Sequence, residues 1–348
     1  MADQRIFAHP EPEPTPTRIW PVFLPFAGCP YRCVFCAQDK QTGQDETGLE
    51  TILKILEHDL DQALAEGRGP YELAFYGGTF TALPSPWPET FLGLAMRFRE
   101  RGLITHVRCS TRPDCVDDLS LSMLRAQGLD MVELGIQSFD DRVLKTSGRG
   151  YTGDIGRRAC DMVKNAGLGL GVQLLPGLPG DRSGVFQADV RLASSLEPET
   201  ARLYPCLVIR DTPLATMWEK GDFVPWSLER TKVELGAALL PLWKNHVRVI
   251  RLGLPPEGAL SGHILAGPWH PALGQSARGL ALLEIVREQV NALDTAPELL
   301  EVPRRYQGEL MGHGNELWED YARIGLPRER IRYVESTSFA LRSTDPEQ

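Results

Sequence analysis

The sequence has no long apolar run and no excess of basic residues. No stretch approaches the roughly 20 consecutive apolar residues that span a bilayer, and residues 1–17 contain no hydrophobic signal core. The 348 residues include 46 acidic and 37 basic side chains, which gives a formal net charge of −9. We therefore expect a cytoplasmic protein with no membrane partner. The charge disfavours nucleic acid as a partner without excluding it, because a phosphate backbone binds clusters of Lys and Arg.

Cysteine is scarce as well, and its use excludes two common structural roles. Seven cysteines are an odd number in a chain without a secretory segment, which argues against a disulfide framework. No second C-x2-C pair is present to complete a structural zinc site. Four cysteines lie too far apart in the sequence for a cluster signature and are interpreted as buried structural thiols: Cys109, Cys115, Cys160 and Cys206.

The other three cysteines, Cys29, Cys33 and Cys36, form a C-x3-C-x2-C motif just after the apolar run at residues 19–26. Three thiolates on one short loop can hold three corners of a cubic iron–sulfur cluster. Because no fourth cysteine lies nearby, one iron would stay open to a substrate or cofactor. This motif is the main candidate for a functional site.

Short apolar segments alternate with segments of helical periodicity through the first 200 residues. They predict strands at residues 19–24, 73–76, 104–109, 131–136 and 168–175, and a sixth from Arg202. Such strand–helix units form parallel sheets with right-handed crossovers. Polar and Gly-rich segments follow the carboxyl ends of these strands, where barrel active sites are built. The pattern favours an α/β fold with a partial (β/α)6 TIM-like barrel over a doubly wound sheet.

The composition divides the chain into three predicted parts. Residues 1–17 are rich in Pro, Glu and Thr and are expected to form a flexible tail. Residues 18–252 carry the barrel pattern, including a half-buried strand at 247–252. Residues 253–348 are predicted to form an α+β extension, with a helix at 277–291.

Two short motifs suit the binding of an amino acid. Gly77-Gly78-Thr79 follows the second strand, and a glycine pair lets the backbone approach a ligand and offer its carbonyls to an ammonium group. Arg149 suits a carboxylate, because its planar guanidinium can bind both oxygens. From the residues alone, a tight turn and a surface arginine remain the alternatives.

Together with the cysteine motif, further stretches resemble the radical S-adenosylmethionine (SAM) superfamily. The resemblance covers about residues 20–252 and includes the subgroup of the oxygen-independent coproporphyrinogen oxidases. It is most specific for the radical SAM portion of the Elongator catalytic subunit and its bacterial relatives. The similar stretches are FYGGTFTALP at 75–84, TRPD at 111–114, LGIQSFDD at 134–141, GRG at 148–150 and YPCLVIRDT at 204–212.

The resemblance implies the cofactors and the site. Cys29, Cys33 and Cys36 would ligate a [4Fe–4S] cluster, and Phe35 would lie against the SAM adenine. The family's Gly-Gly-Glu site for the methionine amino group reads Gly-Gly-Thr here, so the carboxylate contact is replaced. The other residues implied to contact SAM are Gly77, Gly78, Thr79, Ser110, Arg112, Gln137, Arg149 and Gln173.

The implied reaction is reductive cleavage of SAM to a 5′-deoxyadenosyl radical, which abstracts hydrogen from an unidentified substrate. An electron donor such as flavodoxin or ferredoxin would be a partner, and the C-terminal extension would cover the laterally open barrel. The sequence departs from the Elongator subunit in two ways. It has no R-x-x-G-x-G/A acetyl-CoA loop, and no cysteine follows Cys206. An Elongator-like tRNA modification and a non-catalytic haem or iron–sulfur carrier are therefore the alternative functions.

Overall fold

The computed structural model describes residues 4–13, 17–38, 48–254 and 259–344. These ranges contain sheets of seven, four and two strands. Among the described residues, no helix is long and apolar enough to cross a membrane.

The largest sheet has seven strands, and every neighbouring pair in it is parallel. This confirms the predicted partial α/β barrel. The sheet has seven strands rather than six, because the strand predicted at residues 247–252 pairs with the sixth strand of the sheet. In sheet order the strands are β2 (Arg18–Phe23), β3 (Tyr71–Tyr76), β4 (Ile104–Thr111), β5 (Met131–Gln137), β6 (Gly169–Leu174), β7 (Thr200–Leu203) and β9 (Arg248–Leu252).

Helices connect successive strands, as parallel pairing requires. The first spans residues 49–65 and buries Leu56, Leu60 and Ala63, which share one face at helical spacing. The helices are α1 (Leu49–Ala65), α2 (Trp87–Glu100), α3 (Asp118–Ala126), α4 (Asp141–Thr146), α5 (Gly153–Asn165), α6 (Val185–Ser195), α7 (Pro213–Glu219), α8 (Leu228–Lys244), α9 (Leu273–Asn291), α10 (Gln307–Leu310) and α11 (Trp318–Arg323).

Alternation along the strands divides the sheet into an apolar face and a polar face. Leu73 and Phe75 of β3 belong to the apolar core that the sheet forms with the helices. On neighbouring strands, the positions that face the other side of the sheet carry charged side chains. These side chains pair with one another across the sheet. Glu133 accepts hydrogen bonds from Arg108 Nη1 at 3.1 Å and from Arg202 Nε at 2.6 Å. The inner face of the half-barrel is therefore polar, unlike the packed apolar interior of a closed barrel.

A four-stranded sheet joins the C-terminal part to an N-terminal strand. In sheet order its strands are β1 (Gln4–Phe7), β13 (Phe339–Ser343), β11 (Pro297–Pro303) and β12 (Ile331–Val334). Its core is a second apolar cluster to which α9 contributes Leu282, Leu283 and Val286. A short pair of strands, β8 (Val208–Ile209) with β10 (Ile264–Ala266), links the C-terminal part of the chain to the barrel part.

The prediction of a flexible tail over residues 1–17 is wrong for residues 4–9. Gln4–Phe7 form strand β1, which pairs antiparallel with β13. His9 is 9% exposed, and its ring stacks on Tyr306 with centroids 4.5 Å apart. The sequence did not predict this strand, because the segment is rich in Pro and Glu and because the partner strand lies at the other end of the chain.

Candidate active site

The cysteine loop follows β2 and is held by backbone hydrogen bonds to three other segments. Thr79 N–H donates to the Ala27 carbonyl at 2.7 Å, and Val34 N–H donates to the Ser147 carbonyl at 3.2 Å. The Val34 carbonyl accepts from Leu214 N–H, at the start of α7, at 2.9 Å. The segments after β2, β3 and β5 thereby meet at the carboxyl edge of the sheet, as the barrel prediction required.

The thiol of Cys36 is buried near those of Cys33 and Cys29. Burial raises the pKa of Cys36 to about 12, and the neighbouring Cys33 and Cys29 raise it further in the same direction. Cys29 Sγ lies 3.3 Å from Thr79 Oγ1, and Cys33 is buried at 6% exposure. Such a thiol is deprotonated by binding a metal.

No three His, Cys, Asp or Glu side chains within the described ranges converge on a single metal ion. An iron–sulfur cluster places different demands on the protein, because each thiolate binds a different iron. Three soft thiolate donors on one loop, with a buried cationic environment at Cys33, fit such a cluster by their chemistry.

Close backbone approach explains both glycines of the Gly77-Gly78-Thr79 motif. Both have positive φ, +74° and +54°. A Cβ on Gly78 would lie 2.2 Å from the Ala27 carbonyl oxygen, inside the cysteine loop. Gln38, which the sequence reasoning missed, accepts from Gly78 N–H at 2.9 Å and also from Phe26 N–H. The amide of Gln38 thus ties the end of the cysteine loop to the glycine pair.

Arg112 and Arg149, two of the residues predicted to contact SAM, meet at Cys33. Arg149 Nη1 lies 3.2 Å and Arg112 Nη1 3.6 Å from Cys33 Sγ. Both arginines are 4% exposed. Arg149 Nε donates to the Tyr151 hydroxyl at 2.9 Å.

Arg112 forms a bidentate pair with Asp114, with both nitrogen–oxygen distances at 2.9 Å. Its Nη2 also donates to the Tyr31 hydroxyl at 2.8 Å. Burial opposes ionisation of Asp114, but hydrogen bonds from Arg112 and Tyr31 hold its pKa below the ordinary value. Tyr31 and Tyr151 were missed in the sequence, because nothing local marks a tyrosine as the partner of a distant arginine.

Gln137 and Gln173 also come together. Gln173 Nε2 donates to Gln137 Oε1 at 3.3 Å. Gln137 has φ +67°, an uncommon conformation for a non-glycine residue and one that clusters at functional sites. Ser110 lies on β4 in register with Glu133, and Phe35 packs with the apolar cluster around Leu178. The described contacts do not link Ser110 or Phe35 directly to the other predicted residues.

Comparison with known families agrees with this arrangement. Residues 23–192 match the Radical SAM superfamily, and residues 198–279 match the Radical_SAM C-terminal domain. The chain therefore belongs to the radical SAM superfamily of enzymes, whose cofactors are a [4Fe–4S] cluster and SAM. Within that superfamily it is close to the Elongator catalytic subunit, as the sequence motifs predict.

Individual relatives match only part of their own length. A tRNA uridine(34) acetyltransferase of Methanocaldococcus infernus is 25% identical over 65% of this chain and 50% of that protein. Elongator complex protein 3 of Homo sapiens is 28% identical over 80% of this chain and 53% of that protein. The chain thus spans about half the length of these curated relatives. The solved structure of M. infernus Elp3 with an N-terminal deletion has a TM-score of 0.57 at 21% identity. The match covers 81% of this chain and 65% of the Elp3 chain, and it supports the fold.

Proposed function

We propose that the chain is a radical SAM enzyme that binds a [4Fe–4S] cluster through Cys29, Cys33 and Cys36 and binds SAM beside it. The observation that carries this proposal is the meeting of the cysteine loop with the glycine pair and the Arg149 loop at one sheet edge. When bound, the cluster and SAM supply an electron and a 5′-deoxyadenosyl radical for hydrogen abstraction. A one-electron donor such as flavodoxin or ferredoxin is the partner this chemistry needs.

The glycine pair is proposed to hold the methionine ammonium through backbone carbonyls. Thr79 is neutral and its hydroxyl faces Cys29, so this site offers hydrogen bonds where the family offers a carboxylate. Gln137 and Gln173 are proposed to contact the SAM nucleoside, since their amides lie side by side near the strand ends. Ser110 and Phe35 keep their proposed contacts to SAM, with Phe35 beside the adenine.

The test is anaerobic reconstitution with iron and sulfide, followed by reduction with SAM and assay of 5′-deoxyadenosine. We expect product from the wild type and from Cys160→Ala, which alters a buried thiol on α5. We expect none from Cys33→Ala. A well-formed wild-type cluster that never cleaves SAM would favour the iron–sulfur carrier instead, and failure to assemble a cluster would contradict both functions.

The substrate is proposed to be polar, because the inner face of the half-barrel carries Arg108, Glu133 and Arg202. A tRNA is the second candidate, favoured by the similarity to a protein named tRNA uridine(34) acetyltransferase. Fluorescence anisotropy with a labelled tRNA tests it. Specific binding should weaken steeply with salt, and absence of binding at low salt would leave a small molecule or a protein side chain.

A further inference from the structure

The sulfur of Cys33 lies against two buried guanidinium groups. Arg149 approaches it at 3.2 Å and Arg112 at 3.6 Å, and neither side chain has significant exposure to solvent. A buried cation is costly unless an anion or a set of acceptors compensates it. The groups that compensate the charge of each arginine therefore indicate the function of this arrangement.

The two arginines are compensated differently. Arg112 has a carboxylate partner, because both oxygens of Asp114 accept from it. Within the described part of the chain, no carboxylate pairs with Arg149. Its partners are the Tyr151 hydroxyl, the Gly135 carbonyl and Cys33. Of these three, only the Cys33 sulfur becomes an anion when it binds a cluster.

Packing around Tyr31 holds Arg112 close to Cys33. Gly150 has φ +76°, and a Cβ there would lie 2.2 Å from the Tyr31 hydroxyl oxygen. Tyr31 can therefore reach over the Arg149 loop, where its hydroxyl contacts Arg112, Asp114 and the Arg149 carbonyl. The Arg112 guanidinium lies 4.4 Å from the centre of the Tyr31 ring. Arg112 consequently has little freedom to turn away from Cys33.

We infer that Arg112 and Arg149 are positioning residues that set the reduction potential of the cluster through the Cys33 thiolate, with Asp114 offsetting the effect of Arg112. This inference rests on the proposed function. Hydrogen bonds to the sulfurs and the local net charge are established determinants of cluster potential. It also gives Arg149 a role other than the methionine carboxylate contact expected from the sequence.

The inference predicts shifts of opposite sign. Reduction adds one negative charge to the cluster, so a nearby cation stabilises the reduced form and raises the potential. Loss of the Arg112 charge should lower the midpoint potential. Loss of the Asp114 charge should raise it, because the remaining guanidinium is then uncompensated.

The experiment is a redox titration of the reconstituted cluster without SAM, followed by electron paramagnetic resonance of the reduced form. We expect Arg112→Gln to lower the ratio of reduced to oxidised cluster at a fixed potential about tenfold, equivalent to a midpoint potential about 59 mV lower for one electron. Asp114→Asn should raise the reduced fraction, and Arg112→Lys should keep part of the wild-type value. Arg101→Gln, in an exposed ion pair with Asp61, is the matched control and should leave the potential unchanged.

Equal potentials in Arg112→Gln, Asp114→Asn and wild type would overturn the inference, as would shifts of the same sign in the two variants. If Arg112→Gln fails to fold, Asp114→Asn decides alone, since only a raised potential supports the inference. The result is separable from the proposed function. A cluster whose reduction potential does not depend on Arg112 can still cleave SAM. A cluster whose reduction potential does depend on Arg112 can still fail to cleave it.

Discussion

At the scale of single residues, the site depends on positions where two backbone segments lie very close together or where the backbone adopts a positive φ. Gly78 combines φ +54° with a carbonyl oxygen only 2.2 Å from where a Cβ would stand. Gln137 adopts φ +67° without being glycine. These conformations cost free energy and persist because neighbouring loops hold them in place. They mark the edge of the sheet at which the cysteine loop, the glycine pair and the glutamine pair lie.

Replacing Gly78 with Ala should separate the glycine pair from the cysteine loop. We expect a loss of roughly 1–3 kcal/mol in the free energy of unfolding from the positive φ, and loss of SAM binding. Chemical denaturation and equilibrium dialysis with SAM measure the two effects. Gly93→Ala is the matched control, because Gly93 lies inside α2 with nothing within 4 Å of its Cβ position. It should be neutral or stabilise by up to about 1 kcal/mol, and equal effects of both variants would contradict the prediction.

At the scale of elements, buried polar contacts join the sheet to its covering helices. Asp189 of α6 accepts from the Ser138 hydroxyl at 2.6 Å and from Phe139 N–H at 2.8 Å, just beyond β5. Burial raises the pKa of Asp189 to about 7, although these two hydrogen bonds act in the opposite direction. The helix therefore supports the segment after the strained Gln137 through a carboxyl group that titrates near neutral pH.

The raised pKa of Asp189 makes stability depend on pH. The folded protein holds this proton more tightly than the unfolded chain, so the contribution is complete below about pH 4 and is lost as the pH rises to about 7. We expect this loss to amount to a few kcal/mol in the wild type. Asp189→Asn should remove that part of the slope. Urea unfolding between pH 4 and 8 measures it, and parallel slopes in both proteins would contradict the assignment.

The N-terminal strand is an element whose role depends on packing with the far end of the chain. The Phe7 ring stacks on Phe339 of β13 with centroids 5.0 Å apart. Phe7→Ala should lower the free energy of unfolding by about 2 kcal/mol, somewhat below the loss for a fully buried phenylalanine. Ile6→Ala, at a 69% exposed neighbour, should change it by less than about 0.5 kcal/mol. Thermal unfolding compares them, and equal melting temperatures would indicate that residues 4–7 behave as a tail.

At the scale of the whole molecule, one buried charge network crosses the half-barrel. The Glu133 carboxylate links Arg108 on β4 with Arg202 on β7, and Arg202 also bonds to the Tyr76 hydroxyl immediately before the glycine pair. The network therefore reaches from the middle of the sheet to the proposed SAM site. A substrate entering the half-barrel would meet charges and hydroxyl groups.

Glu133→Gln should weaken this network strongly. It leaves the buried guanidinium of Arg108 and the part-buried guanidinium of Arg202 with less compensation, and breaking a buried pair typically costs about 3–5 kcal/mol. The exposed pair of Arg101 and Asp61 gives the control, since Asp61→Asn should cost less than about 1 kcal/mol. Urea unfolding measures both. Comparable losses in the two variants would show that the network is more hydrated than its burial indicates.

Features that depend on local order are already evident in the sequence. Periodicity predicts most strands of the half-barrel, because alternation records which face each residue buries. The C-x3-C-x2-C motif predicts the cluster loop, because its three ligands lie within eight residues.

Contacts between residues far apart in the sequence depend on the tertiary fold. Arg149 meets Cys33 from 116 residues away, and β1 finds β13 at the opposite end of the chain. Those pairings depend on how the sheet positions its edges and loops in space, which no local pattern of apolar and polar residues encodes. The tertiary fold therefore places the guanidinium groups of Arg112 and Arg149 beside the sulfur of Cys33.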